Sequence, residues 1–217
     1  MKDSFFKRNG LSIAVGLMML AAWGAQAITG HAAHNQELGE HGLPDIGLGA
    51  YLLSGDFWSA TCENWESEFL QMGLYVLLTV WLRQKGSAES RPMDEKEEEN
   101  EPTPEHLQPK AWRRGGVVRW LYANSLSIAF LCLFAMSFAG HLFGSWRKSI
   151  DEALAHHQPP ERLAAYIVDP SFWFESFQNW QSEFLAVFSL VVLSIFLRQK
   201  DSPQSKPVDA PHSKTGD

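Results

Sequence analysis

Two carboxylates, Glu68 and Glu183, stand out in this 217-residue chain, because each follows an asparagine by four residues and a tryptophan by three, at Asn64-Trp65 and Asn179-Trp180. On a helix the asparagine and the glutamate share a face. About fourteen apolar residues follow each glutamate, a rise of about 21 Å, which places each carboxylate near or just inside the outer edge of a bilayer's hydrocarbon. An ionisable group at that depth is a candidate for ion or proton handling. Brought to a shared axis, the two would make a proton-sharing pair or a cation site, with Asn64 and Asn179 as orienting partners. The architectural reading competes and is the stronger: tryptophan, asparagine and glutamate at a helix entrance mark the membrane interface, suit the N-terminal dipole and bond loop amides.

Six of the eight histidines gather in two stretches, His31, His34 and His41 in one and His141, His156 and His157 in the other. His34 and His41 are seven apart and can share a helix face, but a metal or haem site needs further ligands and a second shell. Exposed loop histidines are the favoured reading, so neither metal nor cofactor is expected. Two cysteines cannot build a four-cysteine zinc site, and the placement of Cys62 near an interface and Cys132 in mid-span disfavours a disulfide. Phosphate loops, HExxH, paired CxxC and Ser-His-Asp arrangements are absent from the sequence. An enzyme would require a cleft that gathers His41 or His156 with an acid. The net charge of −7 argues against a nucleic-acid partner.

The elements that must position these groups are apolar blocks. Leu11 to Ile28 carries no formal charge, and Leu126 to Phe143 has only His141 as an ionisable residue. Each is long enough to span about 30 Å of hydrocarbon. Phe69 to Leu82 and Phe184 to Leu197 are shorter, and become spans when extended back to Trp65 and Trp180, with Arg83, Lys85, Arg198 and Lys200 as anchors at the other interface. With four spans, one side of the membrane holds 15 basic residues and the other holds 3, namely Arg147, Lys148 and Arg162. The positive-inside rule then puts both termini and the central linker in the cytoplasm. Ala25-Gln26-Ala27 after an apolar run also resembles a signal-peptide cleavage site, but the internal repeat favours retention of the first helix.

That repeat aligns Asn9–Pro92 with Asn124–Pro207 at a shift of 115 residues without a gap, and about a third of the paired positions are identical. Among the histidines only His41 and His156 correspond. Each copy holds two spans, so both enter the membrane in the same sense. Between the spans of each copy lie about forty residues, too long for a plain turn. They read as a helical continuation of the first span, a short helix at Tyr51 or Tyr166, and an N-cap at Ser54 or Asp169 that opens the next helix. Gly86 to Gln108 reads as disordered, Lys110 to Arg119 as a basic segment on lipid headgroups, and the tail as disordered. Small residues (Gly16, Ala21, Ala22, Gly24 and Ala25 on the first span, Ala135, Ser137, Ala139 and Gly140 on the third) suit close helix packing within the molecule.

The repeated Asn-Trp-(Glu/Gln)-Ser-Glu-Phe-Leu and Leu-Arg-Gln-Lys motifs resemble those of a bacterial family of duplicated integral membrane proteins of unknown function. The resemblance covers nearly the whole chain outside the linker and tail. It implies a bacterial source and a membrane location, and it transfers no catalytic role to any residue.

The sequence thus predicts an all-α, polytopic membrane protein with four transmembrane helices in two tandem helical-hairpin repeats and a non-cytoplasmic helical cap. Repeat 1 is residues 1–85, with spans at about 10–29 and 65–82 and a cap segment at 30–64. Residues 86–119 form the charged linker. Repeat 2 is residues 120–200, with spans at about 121–143 and 180–197 and a cap segment at 144–179, and residues 201–217 are the tail. The expected function is a non-enzymatic module of the bacterial inner membrane. Its partners would be the lipid bilayer and a membrane protein or a second copy of the chain, and the alternative is ion or proton permeation through Glu68 and Glu183.

Overall fold

A computed structural model describes residues 5–93 and 103–216. The acidic run Glu95 to Glu99, the centre of the expected disordered linker, lies outside the described residues. Among the described residues all regular structure is helical: α1 (Phe5–Glu40), α2 (Leu48–Tyr51), α3 (Gly55–Trp81), a 3-10 turn (Glu105–Leu107), α4 (Lys110–Arg113), α5 (Gly116–Ala123), α6 (Ser125–Ala155), α7 (Leu163–Tyr166) and α8 (Pro170–Phe196).

Helix boundaries follow local chemistry. Ser54 opens α3 by accepting the Phe57 amide at 3.2 Å, and Asp169 opens α8 by accepting the Ser171 amide at 2.7 Å, with Pro170 at the first helical position. The bond to Ser171 holds the Asp169 carboxyl below the usual carboxylate range. At the other ends, Gly42 (φ +71°) and His157 (φ +56°) take the left-handed conformation that stops α1 and α6. The amide three residues past each helix returns to a carbonyl of its last turns, Leu43 to Leu38 at 2.9 Å and Gln158 to Ala153 at 2.7 Å, with the left-handed residue immediately before it. α2 and α7, and likewise α3 and α8, coincide residue for residue under the 115-residue shift.

Among the described residues, three helices are long and apolar enough to cross a membrane: α1, α6 and α8. The fourth expected span is α3, and it falls short by composition. Its 27 residues suffice in length, but Glu63, Glu66 and Glu68 interrupt the first half and the continuous apolar tract starts only at Phe69. Much of the surface is nonetheless greasy, with Leu11, Met18 and Phe188 all largely exposed.

The chain forms two compact units, Met1–Cys62 with Gly140–Val168, and Glu63–Ala139 with Asp169–Asp217. In the first, Tyr51 and Phe57 form the buried centre, their rings 5.6 Å apart, and Trp23 stacks on Phe57 at 6.3 Å. Close helix approach there depends on glycine. A Cβ on Gly144 would lie 2.6 Å from the Ser59 nitrogen, and one on Gly140 2.5 Å from the Cys62 sulfur. Gly16 and Gly24 have nothing within 4 Å, so the small residues expected to pack on the first span do not all do so.

In the second unit the core is aromatic. Phe172 is fully buried, with Phe138 at 5.7 Å, and Trp180 gathers Phe134 at 6.3 Å and Phe177 at 5.3 Å. Residues 86–93 and the tail, both read from composition as disordered, meet in this unit through hydrogen bonds. Gly216 donates to the Ser87 carbonyl at 2.9 Å, the Gly86 amide to Thr215 at 2.9 Å, and the Lys206 ammonium to the carbonyls of Gly86 and of Lys214, the latter at 2.9 Å. The Leu-Arg-Gln-Lys ends of α3 and α8 close alike: Ser90 accepts the Gln84 amide at 2.8 Å and Ser205 accepts the Gln199 amide at 2.9 Å.

Candidate functional site

Within the first unit, the last turns of α1 and α6, the loop after α1 and the start of α3 enclose a cleft of about 520 Å³. Loop placement comes first. Asn35 on α1 grips the loop at Ile46 from both sides, accepting its amide at 2.9 Å and donating to its carbonyl at 3.0 Å. The Nε2 of His31 also sits 2.7 Å from that carbonyl and 3.1 Å from the Asn35 amide nitrogen. On α6 the indole of Trp146, which corresponds to His31, donates to the carbonyl of Glu161 at 2.9 Å. An imidazole and an indole thus do the same structural work, and His31 is a loop clasp on a helix rather than an exposed loop residue.

The cleft's charge is lopsided. Among the described residues, Glu37, Asp56, Asp151 and Glu152 line it against a single lysine, Lys148, together with His34, His41 and His156. Lys148 binds Asp56 at 2.9 Å and reaches Glu152 at 4.0 Å. His34 Nδ1 faces Asp56 at 3.5 Å and its ring lies 5.5 Å from that of Tyr51. Burial, reinforced by the Asp56 carboxylate, pushes the Tyr51 hydroxyl above its ordinary pKa, with Lys148 opposing. Leu38, Leu43, Ile46 and Ala155 supply the apolar part of the wall. At the rim the rings of His41 and His156 meet edge to face with centroids 4.9 Å apart. The cleft therefore does gather both histidines with acids.

The sequence-predicted polar pair lies in the second unit. The carboxyl groups of Glu68 and Glu183 are within hydrogen-bonding reach of each other, Glu68 exposed and Glu183 half-buried. Gln71 donates to the Glu183 carbonyl at 2.8 Å. Asn179 bonds the Glu63 carboxylate rather than Glu183, while Asn64 is exposed and its carbonyl accepts from Ser67 at 2.9 Å. Trp180 donates its indole N–H to Glu66 at 2.9 Å. Partners climb together along α3 and α8 (63 with 179, 66 with 180, 68 with 183), so the two helices run in the same direction. Trp65 is half-buried, Arg83 and Arg198 are half-buried at the helix ends, and Lys85 and Lys200 are exposed. The Arg198 guanidinium donates to the last-turn carbonyls of Ser194 and Ile195 at 3.3 and 3.2 Å, a direct complement to the helix dipole.

Several residues here escape a sequence reading centred on Glu68 and Glu183. Glu66 is completely buried two residues earlier, and its counterpart under the shift is Gln181, so comparing the copies passes over it. Asp56 and Lys148 have Ser171 and Ala33 as counterparts and leave no trace in the repeat. Glu37 and Glu152 are different, because they correspond to each other and the same comparison reveals them.

No curated protein and no solved structure matches the chain. A family profile does, over residues 2–217. The chain belongs to the family described as a domain of unknown function, DUF6766.

Proposed function

We propose that the protein is a non-enzymatic recognition module of the bacterial inner membrane, a duplicated four-span protein whose non-cytoplasmic cap binds a cation. The observation that carries this reading is the cleft of about 520 Å³, in which four carboxylates face one ammonium against a partly apolar wall. Apolar surroundings lower the local dielectric and strengthen a charge-based preference. Duplication is supported by the coincident bounds of the paired helices and the parallel run of α3 and α8. A fourth span in α3 is supported by its length, about 40 Å for 27 residues. The greasy exterior fits lipid contact and leaves room for a membrane-protein partner or a second copy. Binding is preferred to catalysis because, among the described residues, the cleft wall offers one hydroxyl, Ser54, and its oxygen serves as the cap of α3 by accepting the Phe57 amide.

The test is thermal unfolding of detergent-purified protein with a panel of divalent metal ions and small amines, against matched carboxylic acids. A cation is expected to raise the transition temperature, and Asp151→Asn is expected to reduce the gain. A panel in which no cation stabilises more than the acids overturns the reading.

Proton or ion permeation is the second reading, and the proximity of the Glu68 and Glu183 carboxyl groups favours it. Two carboxyls so placed can hold one proton or one cation between them. Flux in proteoliposomes that disappears in both Glu68→Gln and Glu183→Gln supports it, and absence of flux from wild-type protein excludes it.

A further inference from the structure

The helices α1 and α6 end on the same four-residue spacing, Glu37 before His41 and Glu152 before His156. Over the 29 paired positions from Val15 to Leu43 the 115-residue shift leaves only these two residues identical between the copies. Everything else in the stretch has diverged, including His31 and Trp146, whose clasp function survives the change of ring. What has been kept is a carboxylate and an imidazole one helical turn apart, on one face of each helix.

All four residues line the cap cleft. Each histidine follows the last helical residue directly, and its amide still bonds the carbonyl of its glutamate, at 3.2 Å for His41 and 3.0 Å for His156. The pairs therefore sit at two helix C-termini, where the partial negative charge of the peptide dipoles favours a cation. The histidine rings meet at 4.9 Å and 89°. Two imidazoles on one tetrahedral zinc-sized ion, with metal–nitrogen bonds of about 2.0–2.1 Å, have centroids about 5 Å apart. All four side chains are exposed, so the carboxylates have rotamer freedom to close on an ion. Imidazole with carboxylate is a donor set for zinc and its first-row neighbours rather than for calcium or magnesium.

We propose that Glu37, His41, Glu152 and His156 form one binding site for a divalent transition-metal ion of the zinc class. The proposal rests on the cap cleft being a cation site and names the cation. Lys148 is the neighbouring positive charge, bonded to Asp56 and 4.0 Å from Glu152, and Asp151 is a further oxygen donor on the wall. Binding draws Glu152 away from Lys148 while leaving the Lys148–Asp56 pair in place.

The experiment is a titration of tag-free, detergent-purified full-length chain with Zn²⁺ against a chromophoric chelator, repeated with Co²⁺ by visible absorption. One equivalent per chain is expected, with affinity lowered at least about 10-fold in His41→Gln and again in His156→Gln. His106→Gln, on an exposed residue of the linker turn, is expected to bind as wild type. Unfolding curves in chelator show whether each variant is folded. If either histidine variant is not, Glu37→Gln combined with Glu152→Gln takes its place, with the same expected loss. Wild-type protein without a stoichiometric site, or affinity unchanged in the folded variants, or equally reduced in His106→Gln, overturns the proposal. Stabilisation by an amine without zinc binding defeats the metal site alone, and no stabilisation by any cation defeats the recognition reading as well.

Discussion

The ammonium of Lys148 lies 2.9 Å from Oδ1 of Asp56, joining α6 to the first turn of α3 on the wall of the cap cleft. Burial alone would lower the lysine's pKa, but the Asp56 hydrogen bond and the charges of Asp56, Glu152 and Glu37 outweigh it, and the group titrates above a free lysine. A base with a raised folded-state pKa stabilises fully below its unfolded value of about 10.4, and the stabilisation is lost as pH climbs through the folded value. With the lysine side chain 42% exposed, solvent screening limits the pair. Lys148→Met is expected to cost about 0.5–1 kcal/mol at neutral pH, and the difference from wild type should vanish in strong alkali. Thermal unfolding in detergent across pH 7 to about 11.5 checks both the size and the sign.

Glycine substitutions should separate tight from open helix surface. Gly144→Ala drives a methyl group against the Ser59 backbone, which cannot turn away, and is expected to cost about 1–3 kcal/mol. Gly16→Ala meets nothing within 4 Å and gains up to about 1 kcal/mol from helix propensity. Unfolding temperatures that move in opposite directions agree with this packing, and equal shifts do not.

These glycines show what sequence reveals. Spacing and residue type identify caps such as Ser54 and Asp169, because capping is decided within a turn of helix. They also locate the short helices at Tyr51 and Tyr166 and the ends of α1 and α6. Small-residue composition cannot say which of Gly16 and Gly144 faces a neighbour, since that depends on partners more than a hundred residues away. Hydropathy reads the second half of α3 well, but it cannot weigh the glutamates of the first half, whose burial depends on α8. The cleft was legible only in fragments. His41 and His156 align between the copies, whereas Asp56 and Lys148 meet only once the chain has folded.

The loop clasp makes a third prediction. His31→Ala removes a ring nitrogen 2.7 Å from the Ile46 carbonyl and leaves the grip to Asn35, at an expected cost of about 1 kcal/mol. Denaturant or thermal unfolding measures it, and His31→Trp, which copies the residue at Trp146, should lose less. A larger loss for tryptophan than for alanine would contradict the shared role.

Phe172, with no exposed surface, is the centre of the aromatic core, and Phe174 two residues on is 68% exposed. Phe172→Ala is expected to destabilise by about 3–5 kcal/mol, and Phe174→Ala by under about 0.5 kcal/mol in detergent. Comparable losses would show that the core lies elsewhere.

The claim on which the whole account depends is that the chain crosses the bilayer and presents its cap away from the cytoplasm. Cysteine labelling reads this directly. In a background with Cys62→Ala and Cys132→Ala, intact cells are treated with a membrane-impermeant maleimide after introduction of either Asp45→Cys in the cap loop or His106→Cys in the linker, both exposed positions. Labelling of the position 45 variant in intact cells, and of the position 106 variant only after lysis, is the predicted result. The reverse pattern, or equal labelling of both before lysis, would contradict it.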